Sequence, residues 1–154
     1  HFTVNDEDVI RFPQGIPGFE EHIQWALAGE EENPIKWLQS LLDGDVALPV
    51  VAPETVNTKY NARLPEKSLS VLEAESTDDL VLLIVVSIPP GAPWDMTANL
   101  RAPLVLNHKK RIGCQVIAQN EEYDIRTPVL GDSMRETMRQ KSVEDTASKT
   151  VPET

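Results

Sequence analysis

The residues that could support acid–base, nucleophilic or metal chemistry are scattered along this chain. The three histidines are His1, His22 and His108, and their spacing matches no common zinc-binding pattern. The single cysteine, Cys114, excludes an internal disulfide and a site built from several cysteines. The sequence also lacks a nucleophile elbow, a phosphate-binding loop and a dinucleotide fingerprint. We therefore expect neither a metal ion nor another cofactor.

Paired carboxylates are the remaining candidates for general acid–base catalysis. They are Asp43 with Asp45, Asp78 with Asp79, and Glu121 with Glu122. A catalytic pair needs unequal burial, which separates the two pKa values. All three pairs fall in predicted turns, where both partners are usually exposed. The sequence thus predicts that the protein is not an enzyme.

A stretch at residues 97–107 joins polar side chains to an apolar run. Leu104, Val105 and Leu106 predict a short buried strand, with Pro103 at its first position or on an edge. Asn99 and Arg101 lie just before it, and a buried polar side chain must find a hydrogen-bond partner. Two interpretations stay open: the pair holds a loop in place, which we favour, or it belongs to a recognition surface.

The charge balance narrows the class of partner. The chain has 25 acidic and 14 basic residues, for a net charge of −11. Binding to nucleic acid or to an anionic membrane needs clustered positive charge, and the one basic cluster, at 109–111, is typical of a solvated turn. A basic protein would be attracted, and its association rate would fall with salt. Plain solubility is the alternative explanation for the acidic composition.

Apolar patterning predicts short strands joined by turns. Residues 23, 25 and 27 alternate onto one face of a strand, and 80–88 read as a central strand covered on both faces. The other predicted strands are 2–4, 9–12, 104–106, 113–119 and 123–126. Gly15, Pro17 and Gly18 predict a turn, with glycine at positive φ and Phe19 packed on the core. Twelve prolines argue against a helical bundle.

Two segments are ambiguous. Residues 33–52 can form a helix starting at Pro34 or a hairpin, and Asp43-Gly44 favours the hairpin. Residues 53–75 are the best helix candidate, with Pro65 at a helix start and Leu69 and Leu72 on one face.

The chain divides into a domain at 1–130 and a polar tail at 131–154. Few apolar residues follow Gly131, so we expect disorder or one marginal helix around 133–141. The sequence opens at His1 without methionine, and we expect the numbering to begin inside the native gene product. With no apolar run of the ~20 residues that span a bilayer and no signal-peptide pattern, it predicts a cytoplasmic protein.

Four motifs together carry a resemblance to a known family. Residues 12–20 (FPQGIPGFE), 37–41 (WLQSL), 97–107 (TANLRAPLVLN) and 113–117 (GCQVI) resemble the flagellar assembly factor FliW. The similarity runs from about Val9 to about Pro128, and residues 55–74 match only loosely. It implies a mainly β, single-domain, antiparallel β-barrel-like fold with one or two short helices ahead of the polar tail.

The resemblance also implies a partner-switching function. FliW proteins bind flagellin, and they bind and antagonise the RNA-binding carbon storage regulator CsrA, so that flagellin mRNA is translated again. We predict Asn99 and Arg101 as polar partner contacts, and Phe19 and Trp37 as apolar ones. For Phe19 and Trp37, packing in the core is the favoured role. The alternative functions are a structural subunit and a small-ligand-binding module.

Overall fold

The computed structural model describes residues 8–150, with the side chains of 8–141 and of Val143. The strands are β1 (Val9–Arg11), β2 (Gln24–Ala28), β3 (Lys36–Ser40), β4 (Ala47–Val51), β5 (Leu80–Ser87), β6 (Thr97–Ala98), β7 (Leu104–Asn107), β8 (Ile112–Gln115) and β9 (Thr127–Pro128). The helices are α1 (Pro53–Val56), α2 (Glu66–Leu69) and α3 (Asp132–Thr150). Three 3₁₀ turns cover Ser70–Leu72, Thr77–Asp79 and Pro93–Asp95.

Seven strands close into a barrel. Their order is β4-β3-β2-β1-β8-β7-β5, and β5 pairs back onto β4 through Val50–Val85 and Val51–Ile84. The β1–β8 pair is parallel, and the other pairs are antiparallel. β6 and β9 continue the sheet from the end of β5. The predicted mainly β, barrel-like fold is confirmed, and closure removes the exposed edges of an open sheet.

The barrel interior is filled by apolar side chains from β1, β2, β3, β4, β5 and β7 and from the loop after β1. Its buried members are Ile10, Phe12, Ile16, Trp25, Leu38, Val50, Leu83, Leu104 and Leu106. Gly113 lies directly against the Phe12 ring, because a Cβ built there would stand 2.7 Å from Phe12 Cζ. This interior positions β2 and β3 in the barrel wall.

The segment between β4 and β5 covers part of the outside of the barrel. The predicted helices there are confirmed as two single-turn helices and a 3₁₀ turn, and Pro65 directly precedes α2. Leu69 and Leu72 pack with Val105 and Cys114 in a cluster outside β7 and β8. A third cluster joins β4, β5 and β6 to Leu100 and Tyr123.

Two predicted turns are confirmed. β3 and β4 form a hairpin with Asp43-Gly44 in its turn, which settles the helix-or-hairpin ambiguity. Gly15 and Gly18 have φ of 70° and 90°, which a side chain would make costly.

The predicted strand at 123–126 is wrong, because the last strand is β9. Tyr123 is buried, and its hydroxyl accepts a hydrogen bond from the Asn61 amide at 2.8 Å. The Asp124 carbonyl accepts from the Leu100 amide at 3.1 Å. These bonds to loops replace strand pairing. The strand predicted at 113–119 is shorter than expected, because β8 ends at Gln115. Beyond it, the Val116 and Ala118 amides donate to the carbonyls of Pro103 and Arg101, which lie in a loop.

Two predicted burial patterns are also wrong in part. Trp25 is fully buried, but Ile23 and Leu27 on the same predicted face are 37% and 43% exposed. β2 begins at Gln24, so Ile23 lies before the strand. In β5, residues 83, 84 and 86 are buried while Val81 is 42% exposed. Residues near strand ends reach past the interior, so alternation alone overestimates their burial.

The helix α3 contains the segment 133–141, for which disorder or one marginal helix was expected. Arg135 joins it to the rest of the chain through an ion pair with Asp95 at 3.1 Å, while Met134 and Val143 are exposed. Whether 131–154 behaves as a separate tail stays a prediction. The predicted strand at 2–4 lies outside the described residues. Among the helices described, none has the length and apolar character needed to cross a membrane.

Candidate protein-binding surface

Asn99 and Arg101 hold a loop between two parts of the sheet. The Asn99 side-chain oxygen accepts a hydrogen bond from the Ala102 amide at 3.0 Å. The backbone amide of Asn99 donates to the Val85 carbonyl in β5. The Arg101 Nε donates to the Ala118 carbonyl at 3.1 Å. Both side chains are partly buried. These bonds support the loop-holding interpretation, and contact with a partner stays a prediction.

Phe19 is an apolar anchor that packs against the barrel core. Its ring meets Trp25 edge-on at a centroid distance of 6.2 Å and His22 at 5.9 Å. The structure therefore gives Phe19 the favoured packing role. His22 is half-buried beside these rings, and its carbonyl accepts the Trp25 indole N–H at 2.8 Å.

One serine–histidine pair has the distance expected of a nucleophile and its base. Ser40 Oγ and His22 Nδ1 are 2.7 Å apart. Ser40 is only 3% exposed, and its oxygen also accepts the amides of Leu42 and Asp43 at 3.1 and 3.3 Å. Because both lone pairs are used, the hydroxyl proton points to His22. This arrangement caps the β3–β4 turn and offers a substrate no approach.

Trp37 lies on the outer face of the barrel, so the prediction that it packs in the core is wrong. Neighbouring residues of a strand point to opposite faces, and in β3 the interior takes Leu38 and Ser40. Trp37 therefore points outward and is 43% exposed. Its register partners are Ala28 on β2 and Pro49 on β4. Alternation in 36–40 was the signal available in the sequence.

We define the Trp37 face as the two cross-strand rows on the outer side of β2, β3 and β4, which are Ala28, Trp37 and Pro49, and Ala26, Gln39 and Ala47. Of these six residues, Ala26 is buried. Acidic residues stand at both ends of it. Glu30, Glu31 and Glu32 are exposed in the β2–β3 loop, and Asp43 and Asp45 are exposed in the β3–β4 turn. Lys36, the one basic residue of β3, bonds the Glu30 carbonyl. The face thus combines an apolar centre with an acidic rim.

The basic cluster at the β7–β8 turn is tied down by carboxylates. Lys109 Nζ lies 3.0 Å from a carboxylate oxygen of the buried Asp79, and Lys110 lies 3.9 Å from Glu73. The hydrogen bond from Lys109 lowers the pKa of Asp79, and the Glu75 amide adds to this. The side-chain oxygen of buried Asn107 accepts the amides of the same turn. Sequence reasoning missed these anchors because nothing local marks Asp79 or Asn107 as buried.

Two titratable groups with raised pKa values, Cys114 and Tyr60, are positioned for packing. Burial raises the pKa of Cys114 to about 11, so its thiol stays protonated at neutral pH. Burial also raises the pKa of Tyr60 to about 12, and its hydroxyl donates to the Leu100 carbonyl at 2.8 Å. Among the side chains that the structure describes, those of residues 8–141 and 143, no group of three His, Cys, Asp or Glu is arranged to hold a metal ion. The expectation that the protein is not an enzyme stays a prediction.

A groove with a volume of about 660 Å³ lies between β5 and the segment 52–69. Its lining is mostly apolar and includes Leu64, Leu69 and Val81. Glu54, Tyr60, Asn61 and Thr77 contribute its polar side chains, and the Tyr60 hydroxyl is bonded to the Leu100 carbonyl. The alternative of a small-ligand-binding module stays a prediction.

Comparison with known proteins identifies the family. The model of the FliW protein family matches residues 1–129. The chain belongs to the FliW family. The flagellar assembly factor FliW of Thermotoga maritima is 45% identical over 124 residues, which cover 80% of this chain and 83% of that protein. The FliW of Leptospira biflexa is 36% identical over 139 residues, which cover 90% of each.

A crystal structure of a flagellar assembly factor FliW has the same fold. It superposes with a TM-score of 0.78 at 32% identity, covering 85% of this chain and 91% of the other. The predicted family is therefore confirmed along the barrel. The family match ends at residue 129, before α3 begins.

The four predicted contact residues do not form one cluster. Phe19 packs on the barrel core, and Trp37 lies on the outer face of β3. Asn99 and Arg101 belong to the loop that follows β6, where their bonds reach β5 and residue 118. Of the four, Trp37 is the one whose side chain offers a large apolar surface to solvent.

Proposed function

We propose that this protein is a cytoplasmic flagellar assembly factor that acts by binding two proteins in turn. It binds flagellin, and when flagellin is exported it binds CsrA and antagonises it, so that flagellin mRNA is translated. Membership of the FliW family along residues 1–129 is the observation that carries this proposal. No catalytic step is part of it.

The charge of the protein gives the antagonism a physical basis. A regulator that binds mRNA must present positive charge to the phosphates. A protein of net charge −11 is attracted to that surface and, once docked, repels the transcript. Charge then sets the association rate and excludes RNA, while affinity comes from a few desolvated side chains. Direct binding to nucleic acid or to a membrane is not part of the function.

Calorimetric titration tests both partners. The full chain is titrated with flagellin and with CsrA, each at low and at high salt. We expect binding to both, and we expect the affinity for CsrA to fall as salt screens the charges. Heat with neither partner would remove the regulator function. Binding to CsrA that ignores salt would keep the function but overturn its electrostatic basis.

An RNA-release measurement tests the switch itself. CsrA is bound to a labelled flagellin mRNA leader, and the chain is added with or without flagellin already bound. We expect the free chain to release the RNA and the flagellin-bound chain to release much less. Equal release would show that the two partners do not exclude each other, which contradicts the proposed switch.

A further inference from the structure

We propose that the Trp37 face is the docking surface for the cationic partner. This inference rests on the proposed function and adds to it the surface that meets the basic, RNA-binding protein. It is argued from three features of the face: an exposed indole, a floor of small side chains, and an acidic rim.

The first two features define an apolar contact point. Trp37 stands between Ala28 and Pro49 in one cross-strand row, with Ala26 and Ala47 in the adjacent row of the same face. Small neighbours leave the indole accessible, and it is 43% exposed. The barrel interior does not use this side chain, because Leu38 fills the inward position beside it. Tryptophan is among the residues most enriched at the energetic centres of protein interfaces.

The acidic rim decides which kind of partner fits. Ala28 pairs with Trp37, and the chain passes from Ala28 through Gly29 straight into Glu30, Glu31 and Glu32. The loop with these three exposed glutamates therefore leaves the face at its Ala28–Trp37 end, and Asp43 and Asp45 lie in the turn at the other end of β3. A second copy of this chain would bring like charges together, and RNA would be repelled. A basic protein with an apolar patch matches the charge and the chemistry of the face.

Substitution of the indole tests the apolar centre, with CsrA as the probe. We expect Trp37→Ala to weaken binding by about tenfold or more, as truncation of an interface anchor does. Trp37→Phe should retain most of the affinity because it keeps an aromatic ring. Ile117→Ala is the matched control, since Ile117 is 68% exposed but lies outside the face. Thermal melting verifies that each variant is folded.

Neutralising the rim tests the charge argument. The variant Glu30→Gln/Glu31→Gln/Glu32→Gln should associate with CsrA several-fold more slowly and show a flatter salt dependence. The control is Glu66→Gln/Glu75→Gln/Glu121→Gln, which removes the same charge at exposed positions elsewhere. A larger loss from this control than from the rim variant would overturn the assignment.

The outcomes separate this inference from the function on which it rests. If the wild type binds CsrA and folded Trp37→Ala binds equally well, the surface is wrong and the function stands. If Trp37→Ala loses flagellin but keeps CsrA, the face serves the other partner and the inference is again overturned. If the wild type binds neither protein, both the function and the inference fall.

Discussion

At the scale of single residues, the barrel depends on polar side chains that bond the main chain of distant segments. Asn107 is 1% exposed and donates to the Leu72 carbonyl at 2.8 Å. Asn120 accepts the Arg63 amide at 2.6 Å. The Arg101 side chain donates to the Ala118 carbonyl and so holds the loop before β7. Removing one partner of such a bond leaves a poorly solvated group, which costs more than the bond itself contributes.

We expect Arg101→Ala to lower the melting temperature by about 2–4 °C, a shift typical for loss of about 1 kcal/mol in a domain of this size. Affinity for CsrA and for flagellin should stay within about twofold, because the side chain is used inside the loop. Differential scanning calorimetry and titration provide the two readouts. Arg126→Ala, at an exposed position, is the control. A stable Arg101→Ala protein that no longer binds would assign Arg101 to the partner surface instead.

At the scale of secondary-structure elements, β1, β7 and β8 are packed without spare space around Gly113. A Cβ at that position would stand 2.5 Å from Leu106 Cδ2 and 2.7 Å from the Phe12 ring. We expect Gly113→Ala to lower the free energy of unfolding by about 1–3 kcal/mol, the usual cost of overpacking a core. Gly44→Ala is the control, since nothing lies within 4 Å of its Cβ. Urea denaturation compares the two, and equal stability would contradict this packing.

The turn between β7 and β8 is held by the Asp79 carboxylate, which makes its contribution depend on pH. Lys109 lowers the pKa of Asp79 in the folded protein below its ordinary value of 3.8. The contribution is therefore complete above pH 3.8 and is lost as the pH falls through the lower, folded-state pKa. We expect Asp79→Asn to be less stable than wild type at neutral pH and the difference to shrink in acid. Urea denaturation from pH 7 to strong acid measures this, with Asp45→Asn as control.

At the scale of the whole molecule, the closed barrel carries the fold and α3 is attached to it through few contacts. Its ion pair with Asp95 uses an Arg135 side chain that is 34% exposed, and pairs of this kind contribute about 0–1 kcal/mol. We expect a chain ending at Gly131 to unfold cooperatively, with a free energy of unfolding within about 1 kcal/mol of the full chain. Arg135→Ala in the full chain should also keep a free energy of unfolding within about 1 kcal/mol of the wild type. Loss of several kcal/mol on truncation would make α3 part of the domain.

The class of fold could be predicted from the amino-acid sequence, because local rules govern turns and strands. Turn chemistry at Gly15, Gly18 and Asp43-Gly44 marked the turns between strands. Apolar runs marked β5 and β7, and four separated motifs indicated the family. The net charge predicts a basic protein as the partner.

Packing of the folded barrel sets which side chains face solvent and which polar groups are buried. Trp37 was expected in the core but lies on the outer face of the barrel, because the other face of β3 packs in the interior. Tyr123 does not form the predicted strand, and its hydroxyl accepts a hydrogen bond from the amide of Asn61, more than sixty residues earlier in the sequence. Burial of Asp79 likewise depends on Lys109 from a distant turn. These outcomes depend on contacts between remote segments. Alternation in β3 separated two faces of the strand, but it did not say which face would be buried.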